Sequence, residues 1–147
     1  MRSFSLRFTG FCIALVIAAA SAATPPAASH PQLVSQIVNG DLLWAAGKLD
    51  EAEKTFAYAF KVNPKSADAG MKLAGIRLSR QNYSGAIEIY QRVIGVGTPN
   101  AKAWIGMGLA YMHTGQPDLT RAAFEEAVRI EPARKQDLDL LIAKTER

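Results

Sequence analysis

The sequence predicts an all-α fold, an α-solenoid of three helical hairpins closed by a C-terminal capping helix. Two observations predict it. The first is local periodicity. Between Ala101 and Pro132, apolar or small residues fall at Trp104, Met107, Gly108 and Tyr111, then resume at Ala123, Phe124, Ala127 and Val128 after a break at Gly115-Gln116-Pro117. Both halves keep the i, i+3, i+4, i+7 spacing of an amphipathic helix with one buried face. A break this short makes the two helices antiparallel neighbours. The second observation is recurrence at a fixed step of 34 residues. Gly108 steps back to Ala74 and Gly40, Gly115 to Gln81 and Gly47, Phe124 to Tyr90 and Phe56, and Ala127 to Val93 and Ala59. Small residues stay small, aromatics stay aromatic and breakers stay near the breaks. Helix-turn-helix units at a constant period form a stacked array, because one unit cannot bury its apolar face alone.

At these residues the chain resembles the tetratricopeptide repeat (TPR) family. The family pattern runs Trp-x2-Leu-Gly-x2-Tyr, then Ala, Phe, Ala and Pro. The third unit matches through Trp104, Met107, Gly108, Tyr111, Phe124, Ala127 and Pro132. The first matches through Gly40, Leu43, Ala52, Phe56, Ala59 and Pro64. The second departs, with Gly70 at the aromatic position and Arg77 at the tyrosine position. Those departures predict a poorly packed first helix in that unit, the most mobile of the array or one ordered by ligand. The small residues at Gly40, Ala74 and Gly108 are expected to bring paired helices close. The aromatics at Phe56, Tyr90 and Phe124 are expected to fill the gaps between hairpins.

In chain order, residues 1–22 read as a secretory signal peptide. Arg2 and Arg7 form a positive n-region, Phe11 to Ala20 an apolar h-region, and Ala20-Ser21-Ala22 or Ser21-Ala22-Ala23 a small-x-small cleavage site. A retained anchor is the rival, but the apolar run falls short of the roughly 20 residues that spanning takes. Cys12 lacks the surroundings of a lipoprotein junction and belongs to the discarded segment. The mature chain therefore has no cysteine and no membrane span, and rests on helix packing alone. Residues 23–32 form a Pro/Ala-rich linker. The repeats occupy 33–66, 67–100 and 101–134, and the capping helix 135–147. Their helices are expected at about Leu33–Ala46, Asp50–Val62, Ala67–Arg80, Ser84–Gly95, Ala101–Thr114 and Pro117–Ile130. Asp50 with Glu53 reads as a capping box, and Ser84 as a cap. Pro117 suits a first turn. Leu138, Leu141 and Ile142 repeat the register of Trp104, Met107 and Gly108, which marks a half-repeat covering the last hairpin.

The net charge is +4, from 17 basic and 13 acidic residues. Loss of Arg2 and Arg7 leaves the charges nearly balanced. They are scattered rather than clustered, which argues against nucleic acid as a partner. No Cys/His spacing suits a metal, and no phosphate loop or nucleophile elbow is present. His113 and the pair Asp137 and Asp139 read as solvated surface. The expectation is thus no enzyme, no cofactor and no metal.

What remains is surface. The resemblance implies a concave groove lined by the first helix of each hairpin. Its positions here are Val34, Ile37, Asp41, Trp44 and Ala45, then Asp68, Met71, Gly75, Leu78 and Ser79, then Lys102, Ile105, Leu109, Met112 and His113. Some TPR proteins clamp a peptide carboxylate with Lys, Asn and Arg in this groove. Ile37, Asp41, Met71, Gly75, Ile105 and Leu109 stand at the corresponding positions and cannot do so. The mostly apolar lining suits a hydrophobic helix or strand from a protein or peptide partner, and Met71 and Met112 make it adaptable. The expected role is an adaptor or assembly factor for an envelope machine in the periplasm of a Gram-negative bacterium. The rival is a self-associating subunit, a homodimer whose groove is covered by a second copy or by its own linker.

Overall fold

The computed structural model describes residues 30–145; the expected signal peptide, the linker before His30 and the last two residues lie outside them. Among the described residues there are seven α-helices and no strand. They are α1 (His30–Ala45), α2 (Leu49–Val62), α3 (Ala67–Ser79), α4 (Tyr83–Gly95), α5 (Ala101–His113), α6 (Pro117–Ile130) and α7 (Lys135–Thr145), with one 3-10 turn at Pro132–Arg134. They pair as the hairpins α1/α2, α3/α4 and α5/α6, and the hairpins stack through α2 on α3 and α4 on α5. α1 begins at His30 rather than Leu33, so Pro31 and Gln32 are helical and not linker. Proline costs little in a first turn, where its missing N–H has no intrahelical partner.

Two capping expectations are corrected. α2 starts one residue earlier than expected, behind Lys48, which makes no side-chain cap. Asp50 lies in the first turn and instead accepts from Arg80 Nη1 at 2.5 Å. Glu53 accepts from Arg80 at 3.1 Å and from Arg77 at 3.4 Å. The bond and charge of Asp50, with Glu53, hold the Arg80 guanidinium pKa above its ordinary value. In α4 the cap is Asn82, not Ser84: its side chain accepts from the Gly85 N–H at 3.0 Å. Asn82 and Ser84 are both good N-caps, and the turn places Asn82 at the helix mouth. Ser66 and Asn100 cap α3 and α5 in the same way. The three intra-hairpin turns share one conformation. Gly47, Gln81 and Gly115 occupy the same register position, and all three have positive φ. Glycine enters that region without strain; Gln81 enters it at φ 62° because the flanking helices dictate the turn.

The core follows the repeat. Phe56, Phe60 and Phe124 are fully buried, with Ala52, Ala59, Ala86 and Ala127 between them. A Cβ on Gly40 would stand 2.5 Å from Phe56 Cε1, and one on Gly108 would stand 2.5 Å from Phe124 Cε1. The rings thus lie directly on helix backbone, a density that only a missing side chain permits. Phe60, to which the repeat pattern assigns no role, is as buried as Phe56. Its ring faces Gly70 on one side, and the Arg92 guanidinium carbon lies 4.5 Å from its centroid.

Gly70 is therefore not a packing defect. A Cβ there would meet Val93 Cγ2 at 2.5 Å and Phe60 Cε2 at 2.9 Å. The volume missing at position 70 is supplied by Phe60 and Val93, and Ala69, Leu73, Ala74 and Ile76 of α3 are buried beside it. Arg77, at the tyrosine position, reaches Glu53 and donates to the Gly85 carbonyl, tying α3 to both α2 and α4. The expected loose helix is a packed one. Native-state hydrogen exchange is expected to show the amides of 73–76 protected to the same degree as those of 107–110. Faster exchange in α3 alone would restore the opposite view.

At the far end, Leu138 of α7 is buried, and Leu141 and Ile142 pack on the cluster built from Phe124, Ala127 and Ala101. This is the half-repeat register read from the sequence. α7 covers α6 as a further hairpin would, and presents Lys135 and Asp139, paired at 2.5 Å, to solvent.

Candidate functional site

The groove residues all lie on α1, α3 and α5, the first helices of the hairpins. α1 contributes Val34, Ile37, Asp41 and Trp44. Val34 and Trp44 are exposed, Ile37 and Asp41 half-buried. α3 contributes Met71 and Leu78, both half-buried and packed with Ile37 against the main core. α5 contributes exposed Lys102 and half-buried Ile105, Leu109 and Met112. Ile105 and Leu109 pack on the second cluster, which contains Leu138 of α7. These side chains therefore have anchored bases and free outer surfaces, the condition for a preformed apolar lining.

Two contacts shape the α1–α3 half of the groove. Trp44 lies edge-on to Phe56, with centroids 6.3 Å apart and planes at 73°. Its Cη2 would be 3.4 Å from a Cβ on Gly75, so the indole leans over α3 at van der Waals distance. Beside it, Lys72 Nζ donates to Asp41 Oδ1 at 2.7 Å and lies 3.9 Å from Asp68. The fold joins Asp41, Asp68 and Lys72 into one ion-pair set spanning α1 and α3. The set carries one net negative charge, and Lys102 on α5 stands apart from it.

At the α5 end, Met112 lines a cavity of about 230 Å³ with Gly115, Gln116, Pro117 and Lys144. Lys144 belongs to α7, so the capping helix bounds this end of the lining. His113, expected on the inner surface, is exposed, and its ring is stacked on Tyr83 at the start of α4, centroids 4.9 Å apart and planes within 5°. Tyr90 is sunk between hairpins, and burial raises its hydroxyl above the ordinary tyrosine pKa. Among the described residues no group of His, Cys, Asp or Glu could hold a metal ion, and no helix is long and apolar enough to cross a membrane.

Sequence reasoning missed the Trp44–Gly75 contact and the Asp41–Lys72 pair. Both join residues about 31 apart, one short turn of register away from the repeat step. A search for opposite charges at that offset would have found the ion pair.

Comparison with known proteins gives a consistent picture. Two models described as tetratricopeptide repeat match the chain, one over residues 37–102 and one over 101–134. A CTR9 homologue from Arabidopsis thaliana is 30% identical over 95 residues, which is 63% of this chain but 9% of that protein. The chain thus spans less than a tenth of that relative. Among solved structures, the first TPR of Spaghetti (RPAP3), bound to the HSP90 peptide SRMEEVD, superposes with a TM-score of 0.75 at 14% identity. The match covers 83% of this chain and 96% of that one. PcrH in complex with the chaperone-binding region of PopD superposes with a TM-score of 0.68 at 20% identity, covering 81% of this chain and 89% of that one. At such identities the likeness is one of fold.

Proposed function

Because this chain belongs to the tetratricopeptide repeat family, whose fold is an interaction module, we propose that it captures an apolar segment of a partner protein in the groove of α1, α3 and α5. The observation that carries the proposal is the character of the lining. Ile37, Met71, Leu78, Ile105 and Leu109 are rooted in the core yet reach the surface, and the groove's acidic groups Asp41 and Asp68 both lie against Lys72. An apolar helix or strand can cover such a lining while Asp41 stays paired with Lys72 and Asp68 stays in solvent.

Acidic tails suit it poorly. The peptide SRMEEVD held by Spaghetti carries three acidic side chains and a terminal carboxylate. Here the positions available for a clamp hold Ile37, Asp41, Met71, Gly75, Ile105 and Leu109, and Lys72 is already engaged. PcrH, solved in complex with the chaperone-binding region of PopD, offers a parallel of another kind. Read with the signal-peptide features at Arg2, Arg7 and Ala20-Ser21-Ala22, this supports an exported adaptor or assembly factor in a bacterial envelope, acting in the periplasm.

The test is capture from an envelope extract by wild-type protein beside a Met71→Glu, Ile105→Glu variant of unchanged helicity. The wild type is expected to retain a partner that the variant loses, since burying an unpaired carboxylate at each of two central contacts weakens binding by roughly 30-fold or more per site. Equal capture by both would remove the groove from the account.

A further inference from the structure

The two ends of the array differ. α7 covers the last hairpin, but no described element covers α1. Val34, Val38 and Leu42 are 48%, 53% and 66% exposed, and their spacing of four places them in one ridge along the helix. The repeat register says what this ridge is. Val38 corresponds to Lys72 and Gly106, and Leu42 to Ile76 and Ala110. Gly106 rests on the Tyr90 ring of the preceding hairpin, and Ile76 and Ala110 are fully buried. The neighbouring positions Ser35 and Asn39 correspond to Ala69 and Ala103, and to Leu73 and Met107, all buried. The exposed face of α1 is therefore the face that in α3 and α5 packs on the hairpin before.

The upstream sequence does not continue the repeat. One step back from Ala52, Phe56 and Ala59 stand Ala18, Ala22 and Pro25. The aromatic is missing, and Pro25-Pro26 would interrupt the second helix of such a unit. Because the opposite end carries α7, the open face has no complementary face at the other end to stack against. A surface that can pair only with its own copy closes as a two-fold dimer and does not propagate into a filament. Charge agrees with this. Asp41 is the sole Asp, Glu, Lys or Arg in α1, and it is held by Lys72. Two copies of α1 can then approach face to face with no like charges opposed.

We propose that α1 is a homodimer interface in which the Val38–Leu42 ridges of two copies pack against each other, with Val34 at the margin shared with the groove. Val38 and Leu42 are not groove residues; α1 turns Ile37 to the main core and Trp44 to Phe56 and Gly75, and the ridge away from them. The dimer does not depend on what the groove binds.

The test is sedimentation equilibrium of the full exported protein at micromolar concentration. Twice the chain mass is expected. Val38→Glu and Leu42→Glu should each weaken the dimer by roughly 30-fold or more, with helicity unchanged because both side chains are already exposed. A Val38→Lys, Leu42→Lys variant should likewise be monomeric, and mixing it with the Val38→Glu, Leu42→Glu variant should restore the doubled mass. A monomeric wild type, whether because the chain's own N-terminal residues cover the ridge or because another protein does, would overturn the proposal. So would a dimer indifferent to these substitutions, which would point to the groove or another face as the contact.

Discussion

Phe56→Ala is expected to lower the free energy of unfolding by about 3–5 kcal/mol, the range for deleting a fully buried aromatic ring. The ring lies against Gly40 of α1, receives the edge of Trp44 and sits within the main cluster shared with α3. Its loss leaves a cavity where three helices meet, and a backbone with glycine at position 40 has no side chain to move in. Since small domains are stable by about 5–15 kcal/mol in total, much of the stability of so short an array is at stake. Urea unfolding followed by circular dichroism checks this directly. Tyr58→Ala on the same helix is the control. That ring is about half exposed, and its removal should change stability by no more than about 0.5 kcal/mol. Equal losses at both positions would mean that the ring on Gly40 does not hold the first hairpin together.

Gly106→Val is expected to destabilise by about 3 kcal/mol, although valine is the better helix former. A Cβ at position 106 would stand 2.3 Å from Tyr90 Cζ and 2.5 Å from its hydroxyl oxygen. The Tyr90 ring is held on its other sides by the core and cannot retreat, so α5 must lift away from α4. The opposite sign is expected at Gly95, where a Cβ meets nothing within 4 Å and φ is negative. There Gly95→Ala should be neutral or stabilise by up to about 1 kcal/mol. A second check is coupling. If Tyr90 is the obstacle, Tyr90→Leu should make a further Gly106→Ala change much less costly than it is in the wild type, a non-additivity expected only for residues in contact.

These two predictions also mark where the chain was legible. Phe56, Tyr90 and Phe124 were readable as core because they recur at a fixed step and lie on helical stripes. So were the cap helix residues Leu138, Leu141 and Ile142. Period and step are properties of one strand of text, and helical geometry converts them into faces without any knowledge of neighbours. Phe60 was not legible as core. It stands two steps before Val128, at a position the family motif does not name, and its burial depends on the absence of a side chain at Gly70, ten residues away on another helix. For the same reason Gly70 looked like a flaw until its space proved to be filled from α2 and α4.

The candidate site divides along the same line. The sequence by itself determined that the residues expected to line the groove fall on the first helix of each hairpin, that they are mostly apolar, and that no basic clamp stands at Ile37, Asp41, Met71, Gly75, Ile105 and Leu109. Only the tertiary structure decided that Asp41 and Lys72 neutralise each other, that Trp44 leans over Gly75, that His113 is stacked on Tyr83, and that Lys144 of α7 bounds the end beyond Met112. It also decided that Val38 and Leu42 stay exposed, though Gly106, Ile76 and Ala110 in their register are buried. A helix's own sequence sets which side chains share a face. Whether that face meets a ring, a counter-charge or water depends on the position of another helix, and only packing fixes it.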